Sequence, residues 1–412
     1  MSIAMSEDQK STISYTPSEQ LIPKEQLLEA AFDKNKLVIG VPRELSEDEN
    51  RVALVPDAVQ LLTDHGHQVL VEEYAGSAAH FNNHAYAEAG AVLTSGAKEI
   101  YQADIILKIA PPTESEIAMM ARGKTLFSSV FLPNNSKKYF VQLSAKKPNA
   151  LAFEYIQDKS GALPLMKSMS EIIGNTTILI ASQLLCSVTH GKGVMLGGFP
   201  GIKPTEVVII GAGTVAEYAA RTALGMGASI KIFDDSIFKL RHIQNMVGQR
   251  IYTSTLLPND LHEALIKADV VIAAKYAAQG ISPCLISEQT VKKMKPGSVI
   301  VDASIDQGGC FETSHLTTHT NPVYQVHEVT HYCVPNIASS VPHTASISLS
   351  NILTPMILQI AHEGDVHAMI KRNPGFAKGV YYYNGILTNK HMGHLFGLPS
   401  QDLELLISAF SQ

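Results

Sequence analysis

Two basic side chains occupy positions from which they could hold a small carboxylate substrate. Arg51 lies between a polar turn and an apolar helix start, and its guanidinium can bind a carboxylate through two parallel hydrogen bonds. Lys108 ends an apolar strand, and strand ends in α/β folds face the ligand crevice. A lysine there can bind a carboxylate and polarise a carbonyl group. For both residues, an exposed position at the surface fits the local sequence equally well.

Two acidic residues and one amide residue extend this set. Asp302 and Asp306 follow an apolar strand at residues 298–301. A carboxylate at Asp306 can take up or relay a proton during oxidation of an amino acid, whereas Asp302 is more typical of a loop cap. Asn336 lies in the turn-rich segment 333–342 and can present an amide to a ligand, although turn formation is the simpler interpretation.

A glycine-rich turn after the apolar strand 207–210 predicts a dinucleotide site. Gly211 allows the tight turn, Gly213 lets a pyrophosphate approach the backbone at a helix N-terminus, and Ala216 lets the helix pack closely on the strand. Asp234 ends the next strand, where a carboxylate can accept hydrogen bonds from the ribose hydroxyls. A carboxylate there repels a 2′-phosphate, so the predicted cofactor is NAD. The alternative is that these glycines form a turn in an unrelated α/β protein. This alternative is disfavoured because strand, turn, helix and second strand all occur in the order that a dinucleotide site requires.

The composition limits the class of protein. The chain has 412 residues, more than the roughly 250–300 that one core usually holds, so two domains are expected. Hydrophobic residues make up 45% and charged residues 17% of the chain, as in a well-buried globular protein. A net charge of −6 gives no basic footprint for nucleic acid. We expect no membrane segment, because no apolar run approaches the roughly 18 residues that a membrane helix needs.

The four cysteines lack the paired spacing of a metal site, and no metal site is predicted. In a chain of this size, Cys186, Cys284, Cys310 and Cys333 are expected to be reduced, buried thiols, which favours a cytoplasmic location. The 16 histidines are mostly scattered and are interpreted as structural. Residues 1–36 form a polar extension without the apolar core of a signal peptide.

Alternating strands and helices predict an α/β fold with two Rossmann-like domains. The nucleotide-binding domain, residues 165–342, is expected to be inserted into a substrate domain formed by residues 37–164 and 343–412. Two long apolar helices, at residues 164–186 and 344–362, are expected to join the domains. Such an arrangement leaves a cleft in which a cofactor and a small substrate can meet.

Six segments resemble the alanine dehydrogenase family, which is related to the nucleotide-binding first domain of proton-translocating transhydrogenases. The similarity covers roughly residues 36–395. The segments IDQGGCFE and YCVPN look like those of the dehydrogenases rather than those of the transhydrogenases. The matching segments are GVPRE (40–44), ENRVALVP (49–56), GALPLMKSMSEIIG (161–174), VVIIGAGTVA (207–216), MKPGSVIVDASIDQGGCFE (294–312) and HYCVPNIASSVPHT (331–344).

The resemblance implies a homohexameric enzyme that reversibly converts L-alanine, NAD and water into pyruvate, ammonium and NADH. By resemblance, Arg51 and Lys108 hold the substrate carboxylate and carbonyl oxygen, and Asp306 is the catalytic aspartate beside the nicotinamide. Asn336 is implied at both the substrate and the nicotinamide. The cofactor contacts that the resemblance implies are Ser170, Gly211, Gly213, Ala216, Asp234, Lys239 and Asn336.

The chain departs from the family pattern at several positions. Phe131 stands in place of the family's catalytic histidine, and phenylalanine cannot transfer a proton. Phe153 replaces a tyrosine, Pro111 replaces a glutamate, and the segment 273–282 replaces an apolar turn over the nicotinamide ribose. Two alternatives therefore stay open, namely a dehydrogenase for another small amino or oxo acid and an NAD-binding regulatory module that has lost activity.

Overall fold

A computed structural model describes residues 36–130, 136–275 and 285–410. The N-terminal extension, Phe131 and most of the predicted turn over the nicotinamide ribose lie outside the described residues. The described chain forms two β-sheets with helices packed on them, in agreement with the predicted α/β class.

The elements alternate along most of the chain. The strands are β1 Val38–Val41, β2 Gln68–Glu72, β3 Val92–Thr94, β4 Ile105–Leu107, β5 Thr125–Ser128, β6 Asn149–Ala152, β7 Glu206–Ile210, β8 Ser229–Phe233, β9 Tyr252–Ser254, β10 Val270–Ala273, β11 Val299–Asp302, β12 Val323–Val326, β13 Val329–Tyr332, β14 Val380–Tyr383 and β15 Ile386–Leu387. The α-helices are α1 Pro56–Asp64, α2 Asn83–Glu88, α3 Ala97–Ile100, α4 Glu114–Met119, α5 Lys137–Ala145, α6 Pro164–Cys186, α7 Thr214–Gly225, α8 Ile237–Val247, α9 Pro258–Lys267, α10 Glu288–Val291, α11 Pro342–Glu363, α12 Val366–Arg372, α13 Pro374–Ala377, α14 Lys390–Phe396 and α15 Leu403–Phe410.

The first sheet has eight strands in the order β15-β14-β6-β5-β4-β1-β2-β3. Strands β1 to β6 pair in parallel, and helices cover both faces, so the central strands are buried and apolar. Strand β14 pairs antiparallel with β6, which returns the C-terminal part of the chain to this sheet. Asn384 and Gly385, both with positive φ, form the tight turn between β14 and β15.

The second sheet has seven strands in the order β12-β13-β11-β10-β7-β8-β9. Its strands are parallel except for β12, which forms an antiparallel hairpin with β13. The chain starts in the middle at β7, runs out to β9 and then returns to β10 on the other side of β7. This reversal creates a crevice at the carboxyl ends of β7 and β10, the place where open α/β sheets bind ligands.

Two long helices pack on the sheets, and one of them, α6, connects the two cores. The N-terminal part of α6 packs in the first core through Leu165 and Met169, and its later part packs in the second core through Ile178 and Leu185. Helix α11 contributes to the first core and contacts α6. Helix α6 ends at Cys186, which is exposed, so the expectation that every cysteine is buried is wrong at this position, where the chain leaves the core.

Both long helices are apolar and long enough to cross a membrane by length and composition alone. The prediction of no membrane segment considered uninterrupted apolar runs, whereas these helices include isolated polar residues, and length and composition alone do not test that prediction. A core helix of a soluble protein passes the same test. Helix α6 packs in both cores and α11 packs in the first, so each helix buries part of its apolar surface inside the protein.

Candidate active site

The glycine-rich turn has the geometry that the sequence predicts. Gly211 has a φ of +108°, and a Cβ there would lie 2.4 Å from the carbonyl oxygen of Ala274, so a larger residue does not fit. Gly213 precedes the first turn of α7, and a Cβ there would meet no atom within 4 Å. Open space therefore lies in front of a helix N-terminus, as an anionic pyrophosphate requires. Ala216 is fully buried beneath this turn.

Asp234 is almost completely buried at the end of β8. Its carboxylate accepts hydrogen bonds from the backbone amides of Ala212 (2.9 Å) and Ser236 (2.8 Å), so it ties the second strand to the glycine turn. Lys275 lies beside it, with Nζ 3.7 Å from Asp234 Oδ2 and 2.6 Å from Asp235 Oδ1. This lysine places a positive charge where the sequence predicts the ribose hydroxyls.

Two further predicted cofactor residues, Lys239 and Ser170, lie on helices. Lys239 is exposed in the first turn of α8, where its backbone amide donates to Ser236 Oγ at 3.3 Å. Ser170 is partly buried near the beginning of α6. Among the described residues, neither side chain forms a hydrogen bond or a close ion pair that would fix a role.

A cleft of about 570 Å³ brings three of the predicted site residues together. Arg51 comes from the first sheet's domain, whereas Asp306 and Asn336 come from loops that follow strands of the second sheet. The cleft therefore lies between the two sheets. Its walls consist of Ser46, Asp48, Glu49, Arg51, Ala110, Pro111, Pro112, Thr113, Glu114, Ser129, Ser136, Tyr139, Asp306, Pro335 and Asn336.

Arg51 is held on one edge by a buried carboxylate. Its Nε donates to Glu49 Oε1 at 2.7 Å, and its Nη2 donates to Glu49 Oε2 at 2.6 Å. The remaining nitrogen, Nη1, contacts the sulfur of Met169 at 3.5 Å. Glu49 thus fixes the guanidinium plane and leaves the Nη1 edge for a second carboxylate. The interpretation of Arg51 as a surface arginine is wrong.

Asn336 links the two domains across the cleft. Its side-chain amide nitrogen donates to Glu49 Oε2 at 3.0 Å and to the carbonyl oxygen of Asp48 at 3.1 Å. Its backbone carbonyl oxygen contacts His319 Nε2 at 2.9 Å. The simple turn-forming interpretation is therefore incomplete, because the side chain joins the loop that carries Arg51.

Lys108 is buried directly behind the cleft wall rather than exposed to solvent. Its ammonium forms ion pairs with Glu44 at 2.8 Å and with Glu116 at 3.2 Å. Burial alone would lower the pKa of Lys108, but the two carboxylates outweigh it and raise the pKa. Glu116 also caps α4 by accepting from the backbone amide of Thr113 at 2.6 Å. The lysine is therefore a permanent cation, and the surface interpretation is wrong for it as well.

Asp306 lies on a short 3₁₀ turn, Ile305–Gln307, directly after β11. Its side chain reaches the cleft, and partial desolvation there raises the pKa to about 6 despite stabilising backbone hydrogen bonds. Asp302 instead is fully buried and accepts hydrogen bonds from Ser304 N, Cys310 N and Ser314 Oγ. The loop-cap interpretation of Asp302 agrees with the structure, and the two aspartates have different environments.

The sequence interpretation missed the carboxylates that hold the basic residues. Glu44 and Glu49 lie in the segments GVPRE and ENRVALVP, but the site residues predicted from the sequence include neither of them. The position of Glu49, two residues before Arg51, is a local signal from which their ion pair could be predicted. The ion pair between Lys108 and Glu44 gives no such signal, because the two residues are 64 positions apart. Among residues 36–130, 136–275 and 285–410, no group of three or more His, Cys, Asp or Glu side chains is arranged to hold a metal ion.

Comparisons with known proteins assign the chain to a family. Residues 40–173 match the family described as Alanine dehydrogenase/PNT, N-terminal domain, and residues 177–390 match Alanine dehydrogenase/PNT, C-terminal domain. Alanine dehydrogenase of Mycolicibacterium smegmatis is 38% identical over 367 residues, which span 89% of this chain and 98% of that protein. Alanine dehydrogenase of Bacillus subtilis is 39% identical over 353 residues, which span 85% and 93% of the two chains.

Solved structures agree with this assignment. A structure of L-alanine dehydrogenase superposes with a TM-score of 0.82 at 34% identity, covering 88% of this chain and 99% of the other. A transhydrogenase from Sinorhizobium meliloti has the same fold, with a TM-score of 0.73 at 20% identity over 86% of this chain and 99% of the other. The chain therefore belongs to the alanine dehydrogenase/PNT family.

Proposed function

We propose that the chain catalyses the reversible, NAD-dependent oxidative deamination of L-alanine to pyruvate and ammonium. The observation that carries the proposal is the convergence of Arg51, Asp306 and Asn336 on one cleft between the two sheets. A small carboxylate substrate fits a site with a fixed guanidinium edge and a buried ammonium behind it. Membership of the alanine dehydrogenase/PNT family supports the amino-acid substrate.

The residues of the second sheet fit a dinucleotide. The open space at Gly213, the positive φ of Gly211 and the buried carboxylate of Asp234 would hold the pyrophosphate and ribose. We propose Ser170, Ala216, Lys239 and Asn336 as further residues of this site. When bound, NAD would supply the hydride acceptor that oxidation of the amino acid at Cα requires.

Three residues of the cleft region have separate roles toward the substrate. Arg51 binds the substrate carboxylate through its Nη1 edge while Glu49 keeps the guanidinium in place. Lys108 supplies a fixed positive charge near the carbonyl oxygen, since its two carboxylate partners keep it protonated. Asp306, with a pKa of about 6, accepts a proton through water as the imine is hydrolysed.

The wider organisation follows from the same proposal. We propose that the substrate domain comprises residues 37–164 and 343–412 and that residues 165–342 form the NAD-binding domain. We expect the enzyme to work as a homohexamer in the cytoplasm. We expect it to have no nucleic-acid or membrane partner. Size-exclusion chromatography with light scattering measures the oligomeric state directly.

Oxidation of NADH with pyruvate and ammonium, followed by absorbance, tests the proposal. The same assay with glyoxylate and with 2-oxobutyrate separates an alanine dehydrogenase from an enzyme for another small oxo acid. We expect the highest kcat/KM with pyruvate. Measurable NADH binding without turnover of any of the three oxo acids would contradict the proposal and favour a regulatory module.

The pH dependence tests the role of Asp306. In the oxidative direction, kcat/KM is expected to rise as the pH passes about 6, because the carboxylate and not the acid accepts a proton. The Asp306→Asn variant should lose this limb and about 10²-fold or more of the rate, the usual contribution of a general base. A limb near pH 6 that persists in the variant would assign the titration to another group.

A further inference from the structure

Three buried polar atoms that make no hydrogen bond of good geometry lie within interaction range of one another near the cleft. They are Ser128 Oγ at the end of β5, Tyr381 OH on β14 and Glu154 Oε2 in the short turn after β6. Within the described part of the chain, each atom is buried and makes no hydrogen bond of acceptable geometry. Buried polar atoms are nearly always satisfied, so a group of three unsatisfied atoms calls for a functional explanation.

Glu154 is the acidic member of this cluster. Its Oε1 accepts a hydrogen bond from the backbone amide of Val130 at 2.6 Å, whereas Oε2 has no donor. A buried carboxylate with a bare oxygen is costly, but a protonated carboxyl group can itself donate to a neighbouring hydroxyl. Burial accordingly raises the pKa of Glu154 to about 7, against the backbone hydrogen bonds that lower it.

The surroundings of Glu154 differ from those of the other buried carboxylates. Glu44 and Glu116 each accept from Lys108 and from a backbone amide, and Glu49 accepts from Arg51. These carboxylates therefore lie among lysine, arginine or backbone N–H donors, which Glu154 Oε2 lacks. The groups that face Glu154 are hydroxyls, and no charged side chain of a described residue contributes to its pKa.

The hydroxyl groups connect Glu154 with the cleft. The Tyr381 hydroxyl lies within interaction range of the hydroxyls of Ser128 and Tyr139, and the Glu154 charge acts on it. Tyr139, on α5, lines the cleft. Since a hydroxyl group both donates and accepts, small rotations can pass a proton along such a row.

We propose that Glu154 is an internal proton store for the cleft, reached through the hydroxyl groups of Tyr139, Tyr381 and Ser128. The inference rests on the proposed function, whose proton balance it completes. Zwitterionic alanine, NAD⁺ and water give pyruvate, ammonium, NADH and one proton. In the oxidative direction, the proton that Asp306 accepts through water passes to the Glu154 carboxylate, which later releases it to solvent. In the reductive direction the carboxylic acid supplies it.

Infrared spectroscopy tests whether Glu154 binds and releases a proton, and it does not depend on turnover. A protonated carboxyl group in a buried site has a carbonyl stretch distinct from that of a carboxylate. We expect a band that disappears as the pH rises through about 7 and that is absent from Glu154→Gln. The matched control is Glu363→Gln, which removes a carboxylate paired with Arg372 at the end of α11, outside the cluster, and should retain the band. If no such band depends on Glu154, the proposal is overturned.

The pH–rate profile tests the connection with the cleft. Glu154→Gln is expected to lose a limb near pH 7 and to lower kcat about tenfold, less than the 10²–10⁴ of a direct general acid or base. Tyr381→Phe removes a hydroxyl that lies near those of Ser128 and Tyr139 without a hydrogen bond of good geometry to either, so the fold should tolerate the change while the path is broken. It should keep the infrared band and show the same loss of rate.

The outcomes separate the two proposals. A Glu154-dependent band together with an unchanged profile in Glu154→Gln would overturn the store. A Glu154-dependent band in a protein that turns over no oxo acid supports the titration of Glu154 and contradicts the proposed function alone. Wild-type rates in Tyr381→Phe, with the limb near pH 7 retained, would overturn the path through Tyr381.

Discussion

At the scale of single residues, the cleft is organised by carboxylates that hold its cations. Three buried carboxylates, Glu44, Glu49 and Glu116, face two cations, Lys108 and Arg51. Each cation is thereby fixed before a substrate arrives, which lowers the entropy that binding must overcome. Removal of one partner from such a buried pair leaves an uncompensated charge and is strongly destabilising. Substitutions that keep the charge are therefore needed to test the role of these residues in binding, because they do not leave a buried charge without a partner.

Replacement of Arg51 by lysine keeps the charge and removes the planar fork. Glu49 would retain one contact in place of two, and no second edge would remain for the substrate carboxylate. We expect KM for the oxo acid to rise at least about tenfold, equivalent to about 1.4 kcal/mol, with a smaller change in kcat. Steady-state kinetics with pyruvate measure both parameters. Arg43→Lys, an exposed residue of the same loop, is the control and should leave KM within about twofold. An unchanged KM in Arg51→Lys would exclude a bidentate role.

Residue identities could be predicted from local sequence, but their environments could not. From local sequence alone, Arg51 and Lys108 fit an exposed surface position as well as a role in binding the substrate carboxylate. Their carboxylate partners in the structure decide against the surface position. Glu44, the partner of Lys108, lies 64 residues away in the loop that follows β1. No local sequence pattern predicts a contact between residues so far apart in the chain. Asp302 was correctly interpreted as a loop cap because its hydrogen-bond donors are within twelve residues. Asp306 differs from it by its exposure to the cleft, which depends on the fold.

At the scale of elements, the long helices and the glycine turn were the most predictable parts. Helix α6 begins and ends at the predicted residues, Pro164 and Cys186, because proline starts the helix and apolar residues recur along its whole length between isolated polar ones. The hairpin of β14 and β15 was missed, although Asn384-Gly385 between two apolar runs is a hairpin signal. Short strands at a sheet edge, such as β3, have too few residues to show a period.

Close packing between α6 and α7 depends on Gly174. A Cβ at this position would lie 2.5 Å from the carbonyl oxygen of Val215 and 2.7 Å from Tyr218 Cβ. Gly174→Ala is therefore expected to separate the helices and to destabilise the protein by about 1–3 kcal/mol, as overpacking does. Thermal unfolding followed by fluorescence measures the effect.

The control for this variant is Gly225→Ala. Gly225 ends α7, and a Cβ at this position would meet no atom within 4 Å, so alanine fits there and improves helix propensity. Its unfolding midpoint should be equal to that of the wild type or higher. If Gly174→Ala unfolded at the wild-type temperature, the close approach of α6 and α7 would not contribute to stability.

At the scale of the whole molecule, the two domains are joined by hydrogen bonds across the mouth of the cleft. The backbone amide of Asn50 donates to Ser339 Oγ at 2.8 Å, and its side chain donates to the carbonyl oxygen of Ser339 at 3.3 Å. The backbone amide of His319 donates to Asp48 Oδ1 at 3.1 Å. These contacts join residues that are more than 270 positions apart, so sequence patterns could predict a cleft but not the bonds that close it.

Ser339→Ala should loosen this closure without disturbing either sheet. Ser339 is fully buried, and its loss leaves the Asn50 amide without its acceptor, at a cost of about 1–3 kcal/mol. Hydrogen exchange at the Asn50 amide is therefore expected to accelerate by about 5- to 150-fold, and kcat/KM for the oxo acid should fall because Arg51 and Asp306 lie on opposite sides of the opening. Ser340→Ala is the matched control, since its exposed hydroxyl donates within its own loop to the carbonyl oxygen of Ile337. Equal exchange at Asn50 in both variants would mean that Ser339 does not hold the domains together.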